Sequence, residues 1–470
     1  MSATREPMSV IDAAWLRMDR PTNLMMICGV MLFDGMLDLA EVRDTLNKRL
    51  LCFHRFRQRV VRDGRPGWEE DPYFDIGWHL RHIALPAGMR LEDMASELAS
   101  TPLDPGKPMW QYHLIDTNDG NCALFLRIHH CYADGFAMMH VVSSLTDAAP
   151  DKRAAPSMDV GQEEDERSAW ERIFGPVTET VGDAIRKAES LAGAGMAMMF
   201  NPMQTMHYGL VATGLVQETA VIATMTPDSP TRFKGQLGVM KRVAWAPTMS
   251  LKEVKALAAA FSCSVNDVLL ACVSGALRNY LEEQGDVVDD IDMRALVPVN
   301  LREPGRLDDL GNCFGMVFFD LPLGIADPYA RVLEVHKRMN ALKHSQQPRV
   351  ALGILAGMGV LPEATKERVL EALAANASAV ITNVRGFDER RYFAGRAITK
   401  QVFWVPQSGG IGLGISILSY AGGVDIGVMA DTKRVANPGD LAACLQTEFE
   451  SMLYGALLAQ WPDEAQRAAA

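Results

Sequence analysis

The sequence predicts an α/β protein of two domains, each with strands and packed helices, joined by a helical linker. Three observations predict it. The chain has 470 residues, more than one hydrophobic core usually supports, so two domains are the default. Strand-like and helix-like apolar patterns alternate in both halves, as stacked α/β layers require. Between the halves, residues 148–168 are rich in Pro, Asp, Glu and Gly and poor in apolar side chains, the composition of an exposed linker. The expected division is a first domain over 1–147, a linker and connector over 148–235, and a second domain over 236–470.

Taken in order, residues 25–33 form a continuous apolar run that reads as a strand, and 39–51 carry a helical pattern. Residues 123–128 form a second strand-like run, and 136–145 read as the helix after it. A helical connector over about 170–223 ends at the turn-rich Pro227-Asp228-Ser229-Pro230. The second domain opens with a strand over 241–246, then an amphipathic helix over 250–260 with Leu251, Val254, Leu257 and Ala258 on its apolar face. Ser264 is a candidate N-cap with Asp267 three residues on, a capping-box pattern opening a helix through Tyr280. Strands over 293–299, 316–321 and 411–420 alternate with helices, including 328–343.

Composition narrows the function. A net charge of −12 with no offsetting basic cluster excludes a nucleic-acid partner. Eight cysteines at 28, 52, 122, 131, 263, 272, 313 and 444 form no C-x-x-C pair, and most sit in apolar runs and read as reduced core residues of an intracellular, cytoplasmic protein. The first seven residues lack the apolar core of a signal peptide. Residues 190–217 hold no Asp, Glu, Lys or Arg and are rich in methionine, but Gly193, Gly195, Asn201, Pro202 and Gly214 interrupt them. A spanning helix needs about 20 predominantly apolar residues, so this reads as a buried or partly lipid-facing connector. Histidines outside the motif described next lack metal-ligand spacing, so no metal is assigned.

The run His129-His130-Cys131-Tyr132-Ala133-Asp134-Gly135 follows the strand over 123–128 directly. A neutral imidazole at a strand end can take a proton from a weakly acidic hydroxyl or thiol, which makes His130 the candidate general base. His129 faces the other side of an extended strand and supports geometry instead. Asp134 caps the next helix or pairs with an arginine, Arg127 or Arg302, while Gly135 permits a tight backbone before that helix. Asn266 is either part of its helix cap or an amide donor for a developing oxyanion. Pro108 and Trp110 read mainly as packing. Gly409, Gly410, Gly412 and Gly414 do not follow the dinucleotide fingerprint.

The motif, with Ile128 before it, matches the His-His-x-x-x-Asp-Gly signature of the CoA-dependent acyltransferase superfamily, which includes chloramphenicol acetyltransferase and peptide-synthetase condensation domains. More narrowly, the chain resembles a bacterial wax ester synthase/acyl-CoA:diacylglycerol acyltransferase over residues 8–453. Met8-Ser9-Val10-Ile11-Asp12-Ala13-Ala14-Trp15-Leu16 is similar to the family's opening segment, and Phe53-His54-Arg55-Phe56-Arg57-Gln58-Arg59-Val60 to a later one. Pro108-Met109-Trp110 resembles its "PLW" region, Asn266-Asp267 its "ND" motif, and Pro298-Val299-Asn300-Leu301-Arg302 and Gly311-Asn312 further blocks. One departure stands in the family's Asn-Val-Pro-Gly-Pro segment, here Asn383-Val384-Arg385-Gly386-Phe387, which puts acceptor or acyl-chain preference in doubt more than reaction type.

The resemblance implies two chloramphenicol-acetyltransferase-like domains, each a mixed sheet with packed helices, and a catalytic histidine at their interface. It implies acyl transfer from acyl-CoA to diacylglycerol or a long-chain alcohol, with acyl-CoA as co-substrate and no cofactor. Gly135, Pro108 and Trp110 would then border the substrate channel. Lipid acceptors imply a cytoplasmic protein peripheral on the inner membrane or on lipid bodies. Two rivals stand beside this reading: a condensation-type enzyme using carrier-protein thioesters and a polar acceptor, and a catalytically silent lipid-binding scaffold.

Overall fold

The structure is a computed structural model describing residues 5–64, 66–150, 225–300, 311–342, 375–407 and 409–458. Met26–Phe33 is a strand because its unbroken apolar run suits a position covered on both faces. It lies inside a six-stranded sheet ordered Tyr392–Phe393, Arg396–Trp404, Met26–Phe33, Cys122–His129, Trp110–Asp116, Leu80–Ala84. Neighbours are antiparallel except Leu80–Ala84 and Trp110–Asp116, which run parallel, so the sheet is mixed. Alternation splits its faces. Leu124, Leu126 and Ile128 join a cluster with Trp15, Tyr132 and Val141, whereas Ala123 and Phe125 face one with Cys28, Val30 and Trp404.

The second sheet is ordered Phe314–Pro322, Asp292–Asn300, Ala379–Arg385, Leu413–Tyr420, Gly423–Asp431, Lys241–Trp245, with Met249–Ser250 also paired to Gly423–Asp431. Ala379–Arg385 is parallel to both neighbours and the remaining pairs are antiparallel. The main core fills the space between this sheet and helices Leu251–Ala260, Val265–Glu283, Pro328–Leu342 and Pro438–Leu458. A small third sheet joins Glu6–Pro7, Gly67–Glu70 and Gln58–Val61.

Local signals placed most helices within a residue or two. Ser264 Oγ accepts the Asp267 N–H at 3.1 Å while Asp267 Oδ2 accepts the Ser264 N–H at 2.9 Å, the reciprocal capping box that the sequence predicts. The pattern over 39–51 is a helix, Leu39–Thr45, continued by a wider turn, Leu46–Leu50. The Met-rich connector, with Met198, Met199 and Met203, lies outside the described residues. Among the described residues no single helix is long and apolar enough to cross a membrane.

The domain division meets one departure. Tyr392–Phe393 and Arg396–Trp404 belong to the second block in sequence but complete the first sheet, Arg396–Trp404 pairing with Met26–Phe33. A strand pattern says that a segment pairs, not which sheet it joins. Arg396–Trp404 also lies close against the second sheet, where Trp404 Nε1 donates to Ala244 O at 3.3 Å. A Cβ at Gly427 would stand 2.7 Å from Phe403 O and 2.8 Å from Val402 Cγ1, so glycine is what admits this approach.

Candidate active site

His130 follows the end of Cys122–His129, and its backbone N–H donates to Met25 O at 2.7 Å. Strand alternation turns His129 and His130 to opposite sides, as expected. The buried His130 ring packs in a triangle with two aromatic side chains that also contact each other. Trp15 stacks on it at 4.2 Å and 17°, and Phe314, opening the edge strand of the second sheet, stands 5.7 Å away. Nδ1 is 2.9 Å from Asn312 Oδ1, and Nε2 has no hydrogen-bond partner among the described residues. Burial disfavours the charged imidazolium and pushes the pKa down to about 4, outweighing the opposing pull of the Asp134 charge and the Asn312 bond. At neutral pH the ring is an uncharged base.

His129 is buried more tightly. Burial, then the neighbouring His130 and Arg62 charges, push its pKa down to about 3. Its Nδ1 accepts the Cys131 N–H at 3.1 Å, so it braces the turn that carries His130. Asp134 is the N-cap of helix Gly135–Leu145, with Oδ1 accepting the Ala137 N–H at 2.9 Å. Its Oδ2 accepts the Cys313 N–H at 2.9 Å, which ties the histidine loop to the entry of the second sheet.

Two expectations need correction. Arg127 does not pair with Asp134; it donates to Thr101 O at 2.6 Å, Leu98 O at 3.0 Å and Gln111 Oε1 at 2.6 Å. It sits two positions before His129 and shares that residue's side of the strand, away from the His130 loop. Arg302 lies outside the described residues. Gly135 is not required by a tight turn: its φ is not positive, and a Cβ there would meet only Val384 Cγ2 at 3.9 Å. Trp110 lies in the core, fully buried, with Nε1 donating to Phe56 O at 2.8 Å and the ring stacked on His79 at 4.2 Å. Pro108 is buried beside it. This segment braces the histidine loop through Met109, whose O accepts the His129 N–H at 2.9 Å and whose N–H donates to Tyr132 Oη at 3.0 Å. That is the packing role that the sequence suggests for Pro108 and Trp110.

Asn266 also departs from its capping alternative, since Ser264 supplies the cap. Asn266 Oδ1 accepts from Asn383 Nδ2 at 2.9 Å, and its own buried Nδ2 has no hydrogen-bond partner among the described residues. Val384, next to Asn383, faces Gly135, whereas alternation turns Asn383 to the other face of the strand, toward helix Val265–Glu283. In the departing segment, Arg385 pairs with Asp388 at 2.7 Å, and the Arg391 guanidinium lies over Phe387 at 4.7 Å. A cleft of about 400 Å³ lined by Arg90, Arg242 and Trp245 shares no residue with this cluster.

The residue-by-residue reading missed Asp12, Trp15, Asn312 and Asn383. Asp12 and Trp15 are three apart on helix Val10–Met18 and so share the face that docks on His130, a signal available in the sequence. Asn312 and Asn383 carry no local pattern of their own.

The chain matches the wax ester synthase/diacylglycerol acyltransferase catalytic domain over residues 8–269 and the C-terminal domain of the same family over 310–453. It is 25% identical over 450 residues to the probable diacylglycerol O-acyltransferase tgs1 of Mycobacterium tuberculosis, covering 93% of each chain. The probable diacylglycerol O-acyltransferase tgs2 of that organism is 27% identical over 399 residues, covering 83% of this chain and 84% of tgs2. In fold it is similar to the wax ester synthase/diacylglycerol acyltransferase of Marinobacter aquaeolei VT8, with a TM-score of 0.68 and 21% identity over 96% of this chain and 100% of that one. The first condensation domain of the CDA synthetase shares the fold at a TM-score of 0.58 and 15% identity over 97% of each chain. With two family domains covering most of its length and the motif histidine buried where its two sheets meet, the chain belongs to the wax ester synthase/diacylglycerol acyltransferase family.

Proposed function

We propose that His130 is the general base with which this protein acylates lipid alcohols. The chain is an acyl-CoA-dependent O-acyltransferase forming triacylglycerol or wax ester. The observation that carries the role of His130 is an uncharged, buried imidazole whose Nε2 is unpartnered in the cluster that joins the two sheets. In the reaction, Nε2 takes the hydroxyl proton as the acceptor oxygen bonds to the thioester carbonyl carbon. The C–S bond then breaks, and the imidazolium returns the proton to the CoA thiolate, leaving an ester and free CoA. The buried Asn266 Nδ2 supports a donor role toward the transient oxyanion. A direct transfer is favoured because Cys131, next to the base in sequence, is inert. Burial raises the Cys131 thiol well above its ordinary pKa.

Replacing His130 with alanine should leave the fold intact and lower thiol release from acyl-CoA by about 10²–10⁴-fold. His129→Ala should cost clearly less. Near-normal turnover by folded His130→Ala would remove the assignment.

Acceptors of this class barely dissolve in water, so we place the enzyme in the cytoplasm, peripheral to a membrane or lipid body and held there by apolar contact. The net charge of −12 disfavours attraction to anionic lipid. Flotation with vesicles should then survive high salt, which screens charge but not apolar burial; release by salt alone would refute it.

A further inference from the structure

Asn312 occupies an unusual position between the base and helix Val10–Met18. Its backbone N–H donates to Asp12 Oδ1 at 3.2 Å, which fixes that oxygen as an acceptor. Its side-chain Nδ2 lies 2.7 Å from the same Asp12 Oδ1 and 2.8 Å from the His130 carbonyl oxygen. Both neighbours accept, so the amide nitrogen must face them and the amide oxygen must face the ring. That oxygen is 2.9 Å from His130 Nδ1 and can only accept. The ring proton is therefore on Nδ1, and in a neutral imidazole the lone pair is left on Nε2. All three residues are buried.

We propose that Asp12 and Asn312 form a positioning relay for the base: Asp12 orients the Asn312 amide, and the amide holds His130 in the one tautomer whose Nε2 can receive the acceptor proton. Helix Val10–Met18 is the frame of the relay. Its N-cap Ser9 fixes Asp12 by accepting the Asp12 N–H at 3.0 Å, and one turn on Trp15 restrains the ring by stacking. Neither Asp12 nor Asn312 touches the reacting atoms; both act through the imidazole. The relay joins three segments far apart in the chain, so the base is set only when the N-terminal helix and the entry of the second sheet are both docked. The inference rests on the general-base reading of His130.

Four variants test it: Asn312→Ala, Asn312→Asp, Asp12→Ala and Asp12→Asn. Each is assayed for thiol release with acyl-CoA and a soluble alcohol across a pH series, with the melting temperature alongside. Asn312→Ala should lower kcat by about 10-fold to 100-fold, less than loss of the base itself, with KM for both substrates little changed. It should also move the acid limb of the kcat profile to lower pH, because the bond it removes favours the protonated ring. Asn312→Asp should move that limb to higher pH, since a carboxylate beside the ring favours imidazolium. Asp12→Asn keeps an acceptor oxygen for the amide and should retain most activity, whereas Asp12→Ala should behave like Asn312→Ala. Acid limbs that stay put or move together in the two Asn312 variants would overturn the relay, as would an Asp12→Asn enzyme no better than Asp12→Ala. If His130→Ala is inactive in the same assay, such a result removes the relay alone; an active His130→Ala removes the base as well.

Discussion

At the scale of single residues, Asp134 makes two backbone contacts of different kinds: the helix cap at Ala137 and the bond to Cys313 across the sheet junction. Asparagine can keep the cap but presents an amide nitrogen to one of the two donors. Asp134→Asn should therefore fall between wild type and Asp134→Ala in both melting temperature and activity, with the alanine variant losing about 1 kcal/mol from the cap alone. Equal inactivity of the two variants at unchanged melting temperature would instead make the Asp134 charge itself the working feature. His129, His130 and Asp134 were legible in the sequence because one strand and one turn set their geometry, and a period of two and an N-cap preference suffice to read them. Asn312 was recognised only as part of a family block. Its role depends on Asp12, 300 positions earlier, and no local rule reaches that far.

Among the elements, the capping box at Ser264 and the helices around it were readable because their signals lie within a few residues. Leu80–Ala84 and Gln58–Val61 were not read as strands. Arg81, His82 and Arg59 interrupt their apolar alternation, as edge positions tolerate. The partner of Arg396–Trp404 could not be read at all. Gly427 permits its approach to the second sheet, and Gly427→Ala should cost about 1–3 kcal/mol by overpacking against Phe403 O and Val402. Gly135→Ala is the contrasting case, since the added methyl group meets only an ordinary contact. Thermal melting of the two variants separates them: an early transition for Gly427→Ala and none for Gly135→Ala. A Gly427→Ala protein as stable as wild type would show that the two sheets can part locally at no cost.

Across the whole molecule, four histidines among the described residues are held uncharged by burial. His79 and His130 are pushed down to about 4, and His113 and His129 to about 3. In the unfolded chain the same rings charge below about pH 6.5. Between those limits the unfolded state binds more protons, so stability is full above about pH 6.5 and falls as pH drops toward 4. Each ring contributes a slope of up to about 1.4 kcal/mol per pH unit in that window. Melting temperature should fall steeply from pH 6.5 downward, with proton uptake on unfolding measurable by calorimetry in buffers of different ionisation enthalpy. A flat melting temperature through that range would mean the rings carry charge in the fold. The upper part of the window, from pH 6.5 to about 5, lies above the range in which ordinary carboxylates protonate, so that part reports on histidine.

The exchange of Arg396–Trp404 into the first sheet also sets an order of events during synthesis. Met26–Phe33 and Cys122–His129 emerge early, but the strand that closes the Met26–Phe33 edge emerges only with Trp404. At about 5–20 residues per second, the nascent chain carries that open apolar edge for on the order of 10–60 s. Through that interval the edge is a template for pairing with another nascent chain. Severing the chain within the linker would make the interval permanent, because the first fragment lacks its last strands and the second carries them with no sheet to join. The protein has two layers in space but one indivisible unit in translation.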